Sequence, residues 1–171
     1  MSQIDYYFYS ASPFTYLGHD PLKAVAEKHG VTINYKQVNL FGVWEVSGAV
    51  PPGQRPPVRQ RMRLVELQRF AEFRKMPINL KPAHFPVDAT LADCCAIALT
   101  DDGKNPHSFI SRVCAGVWAN ELYIGDEDVL TAMLEAEGFE AASVFANAKS
   151  DGMAAIRNRN TQAASDADAP G

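Results

Sequence analysis

A strand that runs straight into a proline-headed helix constrains this chain more than any other feature. Ile4-Asp5-Tyr6-Tyr7-Phe8-Tyr9 is aromatic and almost continuously apolar, which reads as a strand buried on both faces, as in a parallel sheet. Ser10–Pro13 breaks it. Pro13 suits the first helical position, where its missing N–H would have had no partner, and Ser12 suits the N-cap. The helix is expected to run to about His29 on Leu17, Leu22, Val25 and Ala26, with Gly30 as its C-terminal stop. A second strand is expected over Val31–Leu40, where Val31, Ile33, Tyr35, Gln37 and Asn39 alternate with the residues between them. Together these segments form a βαβ unit, whose crossover should be right-handed.

The remainder reads as helical. Gly48–Pro57, with four prolines at 51, 52, 56 and 57, is a loop. Leu64, Leu67, Phe70 and Ala71 predict a helix over 58–75, and Met76–Pro86 is a second proline-punctuated connection. Asp88 caps a helix that contains Leu91, Cys94, Cys95, Ala98 and Leu99 and closes at Asp102-Gly103. Phe109, Ile110, Val113 and Val117 mark the next. Asp126 caps another, which Gly138 stops, and Phe139 to about Asn160 forms one or two short helices. Thr161–Gly171 is small and polar and is expected to fray. Two parallel strands alone are too few for a stable sheet, so something should return to complete it, and nothing in the sequence does.

At 171 residues and 47% hydrophobic, the chain suits one domain with a real core. It has no apolar run long enough to span a bilayer and no leader-like start, so a cytoplasmic protein that binds no membrane is the expectation. The three cysteines, Cys94, Cys95 and Cys114, have no metal-site spacing, so no metal is expected, and Cys94 and Cys95 read as core. His19, His29 and His107 read as ordinary surface or helix positions, and His84 as either a loop residue or a polar site residue. The formal charge of -4 gives no reason to expect nucleic acid. Between Arg55 and Lys75, however, seven basic residues face only Glu66 and Glu72. That stretch is a solvated helix face, or it attracts a small anionic substrate.

Ser12 has two readings from local sequence. It is a plain N-cap, or it stands where free N–H groups and the helix dipole favour an anion such as a thiolate. The opening Asp5–Leu17, read as Asp-Tyr-Tyr-Phe-Tyr-Ser-Ala-Ser-Pro-Phe-Thr-Tyr-Leu, resembles the start of the 2-hydroxychromene-2-carboxylate isomerases. These are relatives of the kappa-class glutathione transferases. Ile33-Asn34-Tyr35, Leu40-Phe41-Gly42-Val43, Leu67–Ala71, Pro82–Pro86 and Val117-Trp118 agree with it, and the likeness extends from Ile4 to Thr161.

The resemblance implies an α/β, thioredoxin-like fold of DsbA/kappa type over 1–161. It comprises a βαβ unit over 1–40, a large all-helical insertion over 58–160, and a disordered tail over 162–171. The family continues past Asn160-Thr161 with a cis-proline segment, two strands and a closing helix. Gln162–Gly171 does not match them, so the C-terminal strands are expected to be missing from this sequence. The implied activity is glutathione-dependent interconversion of 2-hydroxychromene-2-carboxylate and trans-o-hydroxybenzylidenepyruvate by a homodimer, with a small aromatic carboxylate as substrate. Ser12 is the implied catalytic residue, and Ser12, Pro13 and Phe14 the implied glutathione contacts. No histidine or lysine lies nearby in sequence to activate Ser12, so stabilising the thiolate is its expected role. Trp44 stands at the position of a family lysine, Gln54-Arg55 at an asparagine-arginine pair, and Phe85 at an aromatic hydroxyl; these are the implied substrate contacts. Two alternatives are a kappa-type transferase acting on another electrophile and a non-catalytic interaction protein with an exposed sheet edge.

Overall fold

In the computed structural model, which describes residues 2–171, two parallel strands sit among eight α-helices. Strand β1 (Gln3–Phe8) leads through Ser12 into α1 (Pro13–Lys28), and β2 (Thr32–Gln37) returns alongside β1. The register pairs Gln3 with Thr32, Asp5 with Asn34 and Phe8 with Gln37. Helices α2 (Leu40–Ser47), α3 (Pro57–Arg74), α4 (Thr90–Asp101), α5 (His107–Trp118), α6 (Glu127–Ala136), α7 (Ala141–Ala148) and α8 (Asp151–Asp166) follow. Of the expected N-caps, those of α1 and α6 form, whereas Ala89 rather than Asp88 is the N-cap of α4. Ser12 precedes α1, Asp126 Oδ1 accepts from Asp128 N at 2.8 Å before α6, and Gly30, Gly103 and Gly138 adopt positive φ after helices.

Three expectations need correction. Strand β1 is not buried on both faces; only Phe8 is fully buried. Asp5 faces solvent, where Lys36 Nζ and Asn34 Nδ2 each reach its carboxylate at 2.8 Å. The second strand stops at Gln37 rather than Leu40, and Leu40 begins α2, a helix the period-two reading of 31–40 concealed. Asn39 is its N-cap and Gly48, at φ 73°, its end. Finally, 162–171 is not a frayed tail. Helix α8 continues to Asp166, and Ala164, 1% exposed, packs against Val38 and Val43. Thr161 Oγ1 accepts from Asn39 N at 2.9 Å, and Ser47 Oγ donates to Pro170 O at 3.0 Å. Small side chains suffice here because α2 and α8 approach closely: a methyl on Gly42 would stand 3.1 Å from Thr161 Cγ2.

Helix α4 lies in the core. Every residue from Ala92 to Leu99 is buried, as in a helix enclosed on all sides, and it packs against β2, α5, α7 and α8. Cys94 and Cys95 are core, as expected, together with Cys114. The main core joins Phe8, Ala11, Leu17, α4, and Phe109, Ile110, Val113 and Trp118 of α5 beneath the β1–α1 junction.

Candidate functional site at the head of helix α1

The turn from β1 to α1 is held from both sides. Ser12 N donates to Tyr9 O at 3.0 Å, and Ser12 Oγ accepts a long bond from Thr15 N at 3.4 Å. Below it, Ser10 gives both its N–H (3.2 Å) and its hydroxyl (2.6 Å) to Asp93 Oδ1 of α4. From α5, Cys114 Sγ donates to Ser10 O at 3.3 Å and Trp118 Nε1 to Ala11 O at 3.1 Å. Asp93 is fully buried, and burial pushes its carboxyl up to about 6, against the pull of Arg157, whose Nη2 lies 3.1 Å from Oδ2. Three side chains distant in sequence thus fix Ser10 and Ala11, the two residues before Ser12, and the half-buried hydroxyl is positioned before any ligand arrives.

Of the side chains singled out from sequence, four gather here. Ser12 and Pro13 form the cap. Phe14 is partly exposed and meets Phe70 of α3 edge-on, with centroids 6.5 Å apart. Phe85 lies on Trp118 at 4.8 Å, so it joins the turn through the Trp118–Ala11 bond. The other three lie apart. Trp44 packs edge-on against Phe41 at 5.4 Å within α2, and Gly171 covers its indole. Gln54 is exposed, and Arg55 Nε donates to Val50 O at 2.6 Å inside its own loop. Among the described residues, no hydrogen bond or ring contact joins these three to Ser12. Arg59, Arg61, Arg69 and Lys75 point to solvent, the solvated-face reading, whereas Arg63 is half-buried, and burial followed by the Arg55 charge lowers its pKa.

His19 and His107 are not surface histidines. Both are buried, their rings stacked at 4.0 Å and 10°. His19 Nε2 lies 3.1 Å from His107 O, His107 Nε2 lies 2.9 Å from Asp20 Oδ1, and His107 Nδ1 lies 2.9 Å from Tyr35 Oη. The imidazole lone pairs lie in the ring planes, so two parallel stacked rings do not converge on one ion. Although Asp20 is near, the cluster is a hydrogen-bonded stack that locks α1, β2 and α5 together. His84 sits on an exposed loop against Tyr123.

Two cavities flank the junction. One, of about 450 Å³, opens between α1 and α5 beside Tyr16, Asp20 and Ser111. The other, of about 380 Å³, lies at the carboxyl ends of the strands and is lined by Tyr9, Asn39, Phe41, Val87, Asp88 and Arg157. Sequence reasoning missed Asp93, Arg157 and Asp88 as site residues. A lone carboxylate inside the apolar run 91–99 was the available signal for Asp93.

The sequence model of the DSBA-like thioredoxin domain matches residues 3–171. A 2-hydroxychromene-2-carboxylate isomerase of Sphingobium xenophagum is 25% identical over 163 residues, 94% of this chain and 81% of that protein. One of the same name from Pseudomonas putida is 35% identical over 83 residues, 48% of this chain and 40% of that protein. Among solved structures, a 2-hydroxychromene-2-carboxylate isomerase superposes with TM-score 0.80 at 23% identity, covering 99% of this chain and 82% of that one. A probable DsbA oxidoreductase from Streptomyces coelicolor superposes with TM-score 0.74 at 15% identity, covering 100% and 78%.

Proposed function

This chain belongs to the DSBA-like thioredoxin domain family, and from that premise we propose that it is a glutathione-dependent isomerase interconverting 2-hydroxychromene-2-carboxylate and trans-o-hydroxybenzylidenepyruvate. One observation carries the reading: among the described residues, the Ser12 hydroxyl has no acceptor for its own proton. Its oxygen takes the Thr15 amide, which leaves the O–H free to donate to a sulfur anion. Pro13 has no N–H, so Phe14 N–H is the first amide of α1 that lacks an intrahelical acceptor, and it adds a second donor beside the positive end of the helix. The residues at this turn therefore fit a thiolate. When bound, glutathione would supply a sulfur nucleophile that adds to the conjugated double bond and leaves again after the bond has rotated. Ser12 and Phe14 would hold the anion, and the Asp93, Cys114 and Trp118 bonds would keep the turn from moving.

The exposed faces of Phe14 and Phe85 suit an aromatic substrate, while Arg55 is the proposed partner of its carboxylate, with Trp44 and Gln54 beside it by resemblance alone. Disulfide exchange has no support at this site. No cysteine stands at the junction, and burial raises all three thiols, Cys95 up to about 12, which withholds the reactive thiolate. No helix among the described residues is long and apolar enough to cross a membrane, and a cytoplasmic setting is proposed with the activity. A homodimer is proposed as well, supported by an exposed apolar stripe of Val58, Met62, Val65 and Phe73 on α3.

The test is to follow the interconversion spectroscopically with and without glutathione, in the native chain and in Ser12→Ala. A charge-assisted hydrogen bond is worth about 1.5–3 kcal/mol, so turnover should fall roughly ten- to hundredfold, and the bound thiol's pKa should rise. A thiol titration identical in both proteins would overturn the assignment.

A further inference from the structure

Building on the glutathione reading, we propose that the cavity at the carboxyl ends of β1 and β2 binds an α-amino-acid group, the γ-glutamyl end of the thiol, with Asp88 receiving its ammonium and Arg157 its carboxylate. In open α/β sheets, ligands bind in the crevice outside the carboxyl ends of the strands. Tyr9, which follows β1, and Asn39, two residues past the end of β2, line this one. Ser12 N is bonded to Tyr9 O, so the cavity wall and the proposed sulfur site share one turn.

The polar groups on the cavity wall are under-used. The Arg157 guanidinium has five N–H donors, yet its single side-chain partner among the described residues is Asp93, through Nη2. Its Nε is buried without an acceptor. Asp88 Oδ1 accepts both the amide (2.9 Å) and the hydroxyl (2.6 Å) of Thr90, while Oδ2 accepts nothing from the described residues. These two bonds, with Arg157's charge adding to them, hold the Asp88 carboxyl below its usual range, so it is ionised at neutral pH. The side-chain amide of Asn39 has no protein partner among the described residues.

Charge selects the ligand class. Asp93 already neutralises much of Arg157, and Asp88 faces the same space. A plain carboxylate would meet the repulsion of Asp88, and a plain amine that of Arg157. A zwitterion satisfies both, each charge opposite its complement. The apolar walls from Phe41 and Val87 suit the two methylenes between the charged end and the γ-amide.

The test is calorimetric titration of the full chain with glutathione and with cysteinylglycine, which keeps the thiol but lacks the γ-glutamyl group. Cysteinylglycine should bind at least about tenfold more weakly. Asp88→Asn keeps Oδ1 as an acceptor for Thr90 and removes only the charge. It should weaken glutathione by about tenfold and leave cysteinylglycine unchanged. Arg157→Lys, checked first for folding because it touches the buried Asp93, should weaken glutathione in the same selective way. If Asp88→Asn shifts both ligands equally, or neither, while native protein binds glutathione, the amino-acid subsite is wrong and the glutathione reading stands. If native protein binds no glutathione at millimolar concentration, both fall.

Discussion

Asp93 carries more of this site than any residue legible as catalytic. It is the single charged side chain in a stretch where every neighbour is buried and apolar, and it ties Ser10 of the junction to Arg157 of α8. Removing it would strand a guanidinium that is only 13% exposed. Breaking a buried pair in this way costs about 3–5 kcal/mol, whereas Ser10→Ala should cost about 1–3 kcal/mol. The double variant should be less destabilised than the two costs added, since both remove the same bonds. Urea unfolding of the four proteins measures this, and strict additivity would show that the network does not act as a unit. The lone carboxylate at 93 was visible in the sequence. Its partner, 64 residues onward, was not, because pairing at that separation depends on how α8 crosses α4.

At the level of elements, α3 is the anomaly. Its inner face buries only Leu67 and Ala71. Val58, Met62, Val65 and Phe73 recur at helical spacing on the opposite face and are all exposed, Phe73 at 80%. This stripe is the surface that the proposed homodimer would cover. If α3 meets a second copy, an antiparallel crossing at Val65-Glu66 would set Val58 against Phe73 and Arg59 against Glu72 across the axis. Phe73→Glu should then shift the protein to monomer in analytical ultracentrifugation without lowering its stability. A native chain that sediments as a monomer would remove the dimer. The helical spacing of 58–75 was readable from the sequence, but which side faced inward was not, since both sides carry apolar residues. Helix α2 was hidden for a related reason. Alternation through residue 40 favoured a longer strand, and only the docking of α8 on Val38 and Val43 shows where the strand gives way.

Across the whole molecule, the buried histidines contribute to the response to acid. Burial, then the neighbouring His107, lowers His19 to about 4, and burial lowers His107 as well. The unfolded chain therefore binds protons that the folded chain refuses. Their contribution to stability is complete above about 6.5 and is lost as pH falls toward the folded values. Asp93 acts in the opposite sense. Its raised pKa means that the neutral form favours folding at low pH and that this contribution is lost as pH rises through about 6. The two partly offset each other between those limits, so a variant isolates the histidine: His19→Phe keeps an aromatic ring against Tyr6, Tyr35 and His107 but cannot titrate. The stability difference between native and variant protein should change by up to roughly 3 kcal/mol between pH 7 and pH 4, and a difference independent of pH would show that His19 does not titrate as a buried group. Sequence alone determined the βαβ opening, the Ser12 cap and the helix ends, because caps, proline and glycine act through backbone geometry within a few residues. Only the tertiary structure decided that the two histidines are buried, that α4 is enclosed on all sides, that 162–166 is packed helix, and that Asp93, Cys114 and Trp118 meet at Ser10 and Ala11. Those outcomes rest on which faces of distant helices touch, and local pattern carries no record of that.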